Sequence, residues 1–165
     1  MDAGAAGINL EDGGSPPELL CRKIDAARTV AARAGADLFV NARCDVYLRR
    51  LVPAESALTE AARRAHLYRA AGCDGLFVPG LREGSEIREI TGAIGELPLN
   101  VLWVPGLPAL PELRALGVRR LSAGSALAQR AYAVASRAAL RFLASGDFDA
   151  TDPALANSEM NALFS

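Results

Sequence analysis

Polar side chains that could bind a small anion and a cation lie at the ends of short apolar runs. Glu11 and Asp12 follow the first run, and Arg43 and Asp45 follow the second. Asn100 lies within the fourth run. Carboxylates hold hard cations directly or through water, and a planar guanidinium binds a carboxylate or phosphonate through two parallel hydrogen bonds. The combination predicts a metal-assisted reaction on a small anionic acid, in which the cation stabilises an enolate.

Each of these residues also has an ordinary structural interpretation. Glu11 and Asp12 could cap or solvate the loop that follows a strand. Arg43 and Asp45 could form a surface ion pair. Asn100 could be an amide that satisfies the backbone of a loop. The residue types and their spacing leave both interpretations open.

Short apolar runs alternate with longer amphipathic segments along the sequence. The runs are apolar on both faces, as the strands of a parallel sheet covered by helices must be. The predicted strands are Gly7–Leu10, Leu38–Asn41, Gly75–Val78, Leu99–Leu102 and Arg119–Ser122. The predicted helices cover about residues 17–34, 53–71, 84–94, 109–116 and 124–144. Because loops after parallel strands meet at one rim of the sheet, the polar residues are expected to lie close together.

Two architectures fit five β/α units of this kind. One is a complete doubly wound sheet, as in flavodoxin-like binding domains, and the other is the last five units of a (β/α)8 TIM barrel. The first strand begins within a few residues of Met1, which favours a barrel without its first strands. We therefore predict an α/β fold in which residues 1–146 form a partial TIM-barrel domain with parallel strands. Residues 147–165 would form a C-terminal tail with a short helix near Ser158–Leu163.

The composition limits which kinds of binding partner and which cellular compartment are expected. The net charge of the 165 residues is −1, and acidic and basic side chains are interspersed, so neither a nucleic acid nor a membrane is an expected partner. The three cysteines are far apart and form no C-x-x-C motif, which argues against a disulfide framework or a thiolate metal site. The sequence contains no pattern typical of a signal peptide or a membrane span. A cytoplasmic protein is predicted.

Motifs in five consecutive segments resemble one known family. The segments read AGAAGINLED from residue 3, LFVNARCDVYL from 38, AGCDGLFVPG from 71, PLNV from 98 and LGVRRLS from 116. They resemble strands four to eight of the isocitrate lyase / phosphoenolpyruvate mutase superfamily, in its short-loop, phosphoenolpyruvate mutase-like branch. Cys44 stands where the family usually has threonine. Residues 159–164, EMNALF, resemble the usual end of the family's sequences.

The resemblance implies a barrel enzyme that uses Mg²⁺ on 2-oxo or phosphono acids. Glu11 matches the acid that reaches the metal through water, and Arg43 matches the arginine that holds the substrate carboxylate, so both are candidate catalytic residues. Asn100 matches an amide of the seventh strand near the substrate. Asp12 and Asp45 match residues that orient these groups, Asp12 beside the metal site and Asp45 beside the substrate.

The departures from the family pattern limit the functional prediction. The family's D-x-D metal pair belongs to strands earlier than the five that are matched here, and the lyase motif K-[KR]-C-G-H is absent after the first run. We predict lyase or mutase chemistry on C–C or P–C bonds, with this chain alone incomplete or inactive. The alternative is a truncated, non-catalytic remnant that acts as an oligomerising module. A homo-oligomer is expected in either case, because an open barrel exposes two strand edges.

Overall fold

The computed structural model describes residues 4–149 and 154–164. Contacts between residues group the chain into two compact units, one ending at Ala123 and the other beginning at Gly124. The first unit contains the whole sheet. The domain boundary predicted after residue 146 stays a prediction.

A single five-stranded sheet, with every strand parallel to its neighbours, organises the first unit. The strands are β1 (Gly7–Glu11), β2 (Phe39–Arg43), β3 (Gly75–Val78), β4 (Leu99–Leu102) and β5 (Val118–Ser122). Their spatial order follows the chain, β1-β2-β3-β4-β5. A doubly wound sheet reverses its strand order at a switch point, whereas a barrel adds each strand beside the last. The order therefore confirms a partial TIM-barrel-like fold, and the flavodoxin-like alternative is wrong.

Helices follow the strands in regular alternation. In the first unit they are α1 (Pro17–Arg33), α2 (Val46–Arg49), α3 (Ala54–Ala70), α4 (Gly84–Ile94) and α5 (Leu110–Ala115). In the second unit they are α6 (Ala126–Ser145) and α7 (Asn157–Ala162). The sequence predicted all of them except α2, a single turn too short to show a hydrophobic period. No helix in the described parts of the chain is long and apolar enough to cross a membrane.

The two faces of the sheet have different compositions because side chains alternate along each strand. One face packs against the helices and carries fully buried aliphatic residues, including Val40, Leu76 and Val101. The other face carries Glu11 and Arg43, which lie opposite each other in the β1–β2 register. Polar side chains are thus gathered on the face that a closed barrel turns inward.

Small residues bring α3 close to the sheet. Its buried positions include Ala57, Ala61 and Ala65, and only two larger side chains on the same face, Arg64 and Tyr68, are buried with them. Alanine leaves room for close packing between helix and strands. The two long polar side chains therefore reach into the layer between α3 and the sheet.

Candidate active site

Glu11, Arg43 and Asn100 share one face of the sheet. Glu11 is paired with Arg43 in the strand register, Arg43 with Phe77, and Phe77 with Asn100. The Arg43 Nη1 atom lies 2.8 Å from Glu11 Oε2. The structure thus brings the predicted acid and arginine into direct contact and places the predicted amide two strands away on the same side.

Arg43 is held by a second carboxylate as well. Its Nε donates to Asp45 Oδ1 at 2.7 Å, and its Nη2 donates to Asp45 Oδ2 at 3.2 Å. Asp45 is completely buried and also accepts from Arg49 Nε at 3.1 Å. A guanidinium has five N–H donors, so contacts to Glu11 and Asp45 leave one donor on each terminal nitrogen of Arg43. Since the Arg43 side chain is 26% exposed, those donors are within reach of a ligand.

The Asp12 carboxylate is fully engaged inside the protein. Its Oδ1 accepts from the backbone N–H of Asp45 at 2.8 Å. Its Oδ2 accepts from Arg64 Nη1 at 2.8 Å and from the Tyr68 hydroxyl at 2.6 Å. Asp12 is 3% exposed, which leaves no oxygen for direct contact with a ligand. The predicted orienting role of Asp12 stays a prediction, supported by these contacts.

Arg64 and Tyr68 did not emerge as site residues from the sequence. Their four-residue spacing places both on one helix face, which was the only signal available. The contact partner of that face, Asp12, is 52 residues from Arg64 and 56 from Tyr68. Sequence periodicity does not encode contacts over such distances.

Electrostatics fix the protonation of this cluster at neutral pH. Burial opposes the charge of Arg64, but hydrogen bonds to Glu60 and Asp12 outweigh it and raise the pKa of Arg64. Burial, together with the hydrogen bond to Asp12, raises the pKa of Tyr68. Hydrogen bonds from Arg63 and Arg64 lower the pKa of Glu60 to about 2. Arg64 and Tyr68 therefore remain donors to Asp12 at any physiological pH.

A line of amides crosses the same face of the sheet. Asn41 Nδ2 donates to Asn9 Oδ1 at 2.9 Å and to Asn100 Oδ1 at 3.2 Å. Asn100 Nδ2 in turn donates to Ser122 Oγ at 3.0 Å and to the Arg120 carbonyl at 3.1 Å. Asn100 is 2% exposed, so Asn9, an exposed residue at the end of the line, is the better placed for a ligand. Asn9 and Asn41 were not singled out from the sequence.

A glycine makes the amide line possible. β3 lies between Asn41 and Asn100, and at that level it carries Gly75. A Cβ at this position would lie 2.9 Å from Asn41 Oδ1 and 3.0 Å from Phe39 Cζ. The missing side chain opens the space through which Asn41 reaches across the strand.

The described residues do not by themselves fit a Mg²⁺ ion. Between residues 4 and 149 and between 154 and 164, no three His, Cys, Asp or Glu side chains are grouped so that they could hold a metal. Both oxygens of Asp12 and of Asp45 accept hydrogen bonds from protein donors. Glu11, half exposed and bound to Arg43 through Oε2, could at most contact a cation through water.

Cys44 and His66 are the other residues whose types could serve as a nucleophile and a base. Cys44 is completely buried, and burial raises the pKa of its thiol to about 12. It is therefore a protonated core residue rather than a thiolate nucleophile. His66, the single histidine, is exposed on α3.

Comparison with known protein families shows to which family the chain belongs. The model of the family described as phosphoenolpyruvate phosphomutase matches residues 1–143. The chain belongs to the phosphoenolpyruvate phosphomutase family. The family predicted from the five strand motifs is thereby confirmed.

Three similar proteins illustrate the membership in the phosphoenolpyruvate phosphomutase family. An uncharacterised protein of Mycobacterium tuberculosis is 41% identical over 121 residues, which are 73% of this chain and 45% of that protein. The chloroplastic carboxyvinyl-carboxyphosphonate phosphorylmutase of Arabidopsis thaliana is 36% identical over 99 residues, 53% of this chain and 28% of that enzyme. A crystal structure from Burkholderia cenocepacia, assigned as a lyase/mutase, is 34% identical, with a TM-score of 0.84 over 99% of this chain and 60% of that one. The chain thus spans less than half the length of these curated relatives.

Proposed function

We propose that the rim formed by Glu11, Arg43 and Asp45 binds the carboxylate of a small 2-oxo or phosphono acid. The observation that carries the proposal is the two-point contact of Asp45 with Arg43, at 2.7 and 3.2 Å, which together with the Glu11 contact leaves one donor on each terminal nitrogen. Two such donors match the two oxygens of a carboxylate or phosphonate. Glu11 lies beside them and faces the same open side of the sheet.

The chemistry proposed for this rim is cleavage or rearrangement of a C–C or P–C bond through an enolate. Arg43 would hold the substrate carboxylate in place and counter the negative charge that develops next to it. Asp45 would keep the guanidinium in one orientation. Glu11 would hold a water molecule at the substrate with its free carboxylate oxygen.

Magnesium dependence is part of the proposal for the complete site only. The described residues supply one water-mediated contact, from Glu11, so the principal ligands would have to come from elsewhere. We accordingly expect the chain alone to be incomplete as an enzyme.

The amide line supports the substrate-binding role proposed for Asn100. Asn100 orients Asn41, and Asn41 fixes the Asn9 side chain by occupying its oxygen. The NH2 group of Asn9 is then the group offered to the open face. Asn100 would thus act on a substrate through its neighbours, with Asn9 making the contact.

A second candidate function is that of an assembly module. Among the described residues, β1 and β5 each pair on one side only. The inward face also exposes apolar surface, with Phe39 42% exposed. Unpaired strand edges and exposed apolar side chains favour association with another chain. We propose that the chain associates with copies of itself to form a homo-oligomer. A cytoplasmic location stays a prediction.

Binding of oxalate tests the enzymatic proposal, because this planar dianion resembles an enolpyruvate. Calorimetry with the full chain, with and without Mg²⁺, would compare wild type with Arg43→Lys and with the exposed control Arg88→Lys. Loss of the two-donor grip is expected to weaken binding by about 10-fold or more, and the control is expected to bind as wild type does. Absence of binding by wild type, or equal binding by Arg43→Lys, would contradict the proposal.

Turnover separates the enzymatic proposal from the assembly module. We expect the chain alone, with Mg²⁺, to turn over neither oxaloacetate nor phosphonopyruvate, since the described residues supply only a water-mediated contact to the cation. Robust turnover would show that the described residues suffice after all. Oxalate binding without turnover is the combined result expected from an intact rim in an incomplete site.

A further inference from the structure

Arg64 and Tyr68 are buried on α3, and both donate hydrogen bonds to Asp12, the residue that follows Glu11 of the rim. The side chain of Arg64 is 9% exposed and Tyr68 is completely buried, on a face otherwise formed by alanines. Burying a guanidinium is costly unless its donors are paired. Arg64 pairs with two carboxylates, Glu60 through Nε at 2.7 Å and Asp12 through Nη1 at 2.8 Å. Such a placement requires an explanation beyond packing.

The segment Arg43–Asp45 is held from both sides at this point. The backbone N–H of Asp12 donates to the carbonyl oxygen of Arg43 at 3.1 Å, and the Asp12 side chain accepts from the backbone N–H of Asp45 at 2.8 Å. From the other side, the N–H of Cys44 donates to the carbonyl oxygen of Phe77 at 2.8 Å. The side-chain contact is the one that depends on how the Asp12 carboxylate is turned.

We propose that Arg64 and Tyr68 are positioning residues for Arg43. They bind one oxygen of the Asp12 carboxylate, which aims the other oxygen at the backbone of Asp45. That hydrogen bond sets the direction of the Asp45 side chain, which grips Arg43 through two hydrogen bonds. α3 thereby fixes the guanidinium without touching it. The consequence for ligand binding rests on the function proposed above, whereas the consequence for the orientation of Arg43 does not.

The two oxygens of the Asp12 carboxylate bind different parts of the protein, which distinguishes this arrangement from simple core packing. Oδ2 receives both donors of α3, and Oδ1 receives only the loop. Without the α3 donors, Oδ2 would be buried and unsatisfied, which costs free energy. The carboxylate would then turn or take up a proton, and either change weakens its hold on the Asp45 N–H.

The decisive variant is Tyr68→Phe, which removes a single oxygen atom. Arg64→Met removes the guanidinium, Arg64→Lys restores a cation, and Arg63→Met is the matched control. Arg63 also binds Glu60, with Nε at 2.7 Å from Oε2, but it lies on the exposed side of α3. Urea unfolding would show which variants are folded at the temperature used.

The first measurement follows the Arg43 side chain itself. In ¹⁵N–¹H spectra of the full chain, its Nε–H signal is identified by its absence in Arg43→Lys. We expect this proton to exchange with water about 3- to 10-fold faster in Tyr68→Phe, as loss of one hydrogen bond predicts, and faster still in Arg64→Met. Arg64→Lys should recover part of the protection, and Arg63→Met should match wild type.

The second measurement is oxalate affinity, which should fall in the same order. Unchanged Nε–H protection in folded Tyr68→Phe and Arg64→Met would overturn the positioning role. If Arg64→Met does not fold, Tyr68→Phe alone decides. If wild type binds no oxalate, the proposed function fails, and the exchange of the Nε–H still decides whether α3 positions Arg43.

Discussion

Arg43 lies between two carboxylates of different accessibility. Glu11 is half exposed, whereas Asp45 is completely buried and is also bound by Arg49. The buried partner can hold the guanidinium permanently, because a bidentate pair with little access to water is geometrically defined. The exposed partner can be displaced or bridged when a ligand arrives. A lysine carries its three donors on one nitrogen, so it could not reproduce the planar two-nitrogen contact with Asp45.

Acid pH is expected to weaken the cluster around α3 through Glu60. Its pKa is lowered from 4.5 to about 2, chiefly by the hydrogen bond from Arg63. A lowered pKa means that the ionised form stabilises the fold above pH 4.5 and that this stabilisation is lost as the pH falls toward 2. Urea unfolding of wild type and Glu60→Gln should therefore differ by about 1–2 kcal/mol at pH 7, less than full linkage because Arg63 is exposed to solvent.

The same pair of proteins supplies the control for this prediction. The stability advantage of wild type should shrink steadily below pH 4.5 and vanish near pH 2, where Glu60 becomes protonated. A difference that is constant across this range would mean that the charge of Glu60 contributes nothing and that only its shape matters.

At the scale of elements, alternation along the strands separates the site from the core. In β2, Val40 and Ala42 face the helices, while Asn41 and Arg43 face the other way. The site therefore rests on residues of regular strands, whose positions are set by the backbone ladder rather than by a flexible loop. Only the short turn that leads to Asp45 departs from this pattern, and it is the part that α3 holds.

Gly75→Ala tests how closely the strands and their amides are packed. The added Cβ would approach Asn41 Oδ1 to 2.9 Å and Phe39 Cζ to 3.0 Å. We expect the free energy of unfolding to fall by about 1–3 kcal/mol, the usual cost of overpacking, as measured by urea denaturation at neutral pH.

Gly92→Ala is the matched control for that substitution. Gly92 lies in α4, and a Cβ there would meet nothing within 4 Å. Alanine favours a helix over glycine, so this variant should gain about 0.5–1 kcal/mol. Equal stability of the two variants would show that Asn41 and Phe39 move aside at little cost and that the amide line is not closely packed.

For the whole molecule, the sequential strand order leaves the sheet open at β1 and β5 within the described residues. Its inward face combines polar side chains with the partly exposed Phe39. In the second unit, α6 has no buried residue and exposes large apolar side chains such as Leu127 and Leu143. Surfaces of this kind are usually covered by other protein.

Self-association is therefore expected in solution. Light scattering coupled to size exclusion should give a mass above that of one chain at micromolar concentration. Phe39→Lys should shift the distribution toward monomer, because it places a charge on the inward face where Phe39 is 42% exposed. Val30→Lys, at a position 56% exposed on α1, should leave it unchanged. A compact wild-type monomer would contradict the assembly module.

The sequence by itself determined the elements and the family. Runs apolar on both faces, separated by amphipathic stretches, require parallel strands covered by helices, and all five runs became strands. The placement of Glu11 and Arg43 beside each other also followed, because the carboxyl ends of parallel strands meet at one rim. These features depend on local periodicity and on a general property of β/α folds, both of which can be obtained from a sequence.

Only the tertiary structure decided which architecture the strands form and which side chains hold the site. Periodicity is the same in a doubly wound sheet and in a barrel, and the strand order alone separates them. The contacts of Asp12 with Arg64 and Tyr68 span 52 and 56 residues, and that of Asn41 with Asn100 spans 59. A helical pattern shows which residues share a face, but the partner of that face is set by how the chain crosses over the sheet. The residues proposed to position Arg43 could therefore be found only after the fold was known.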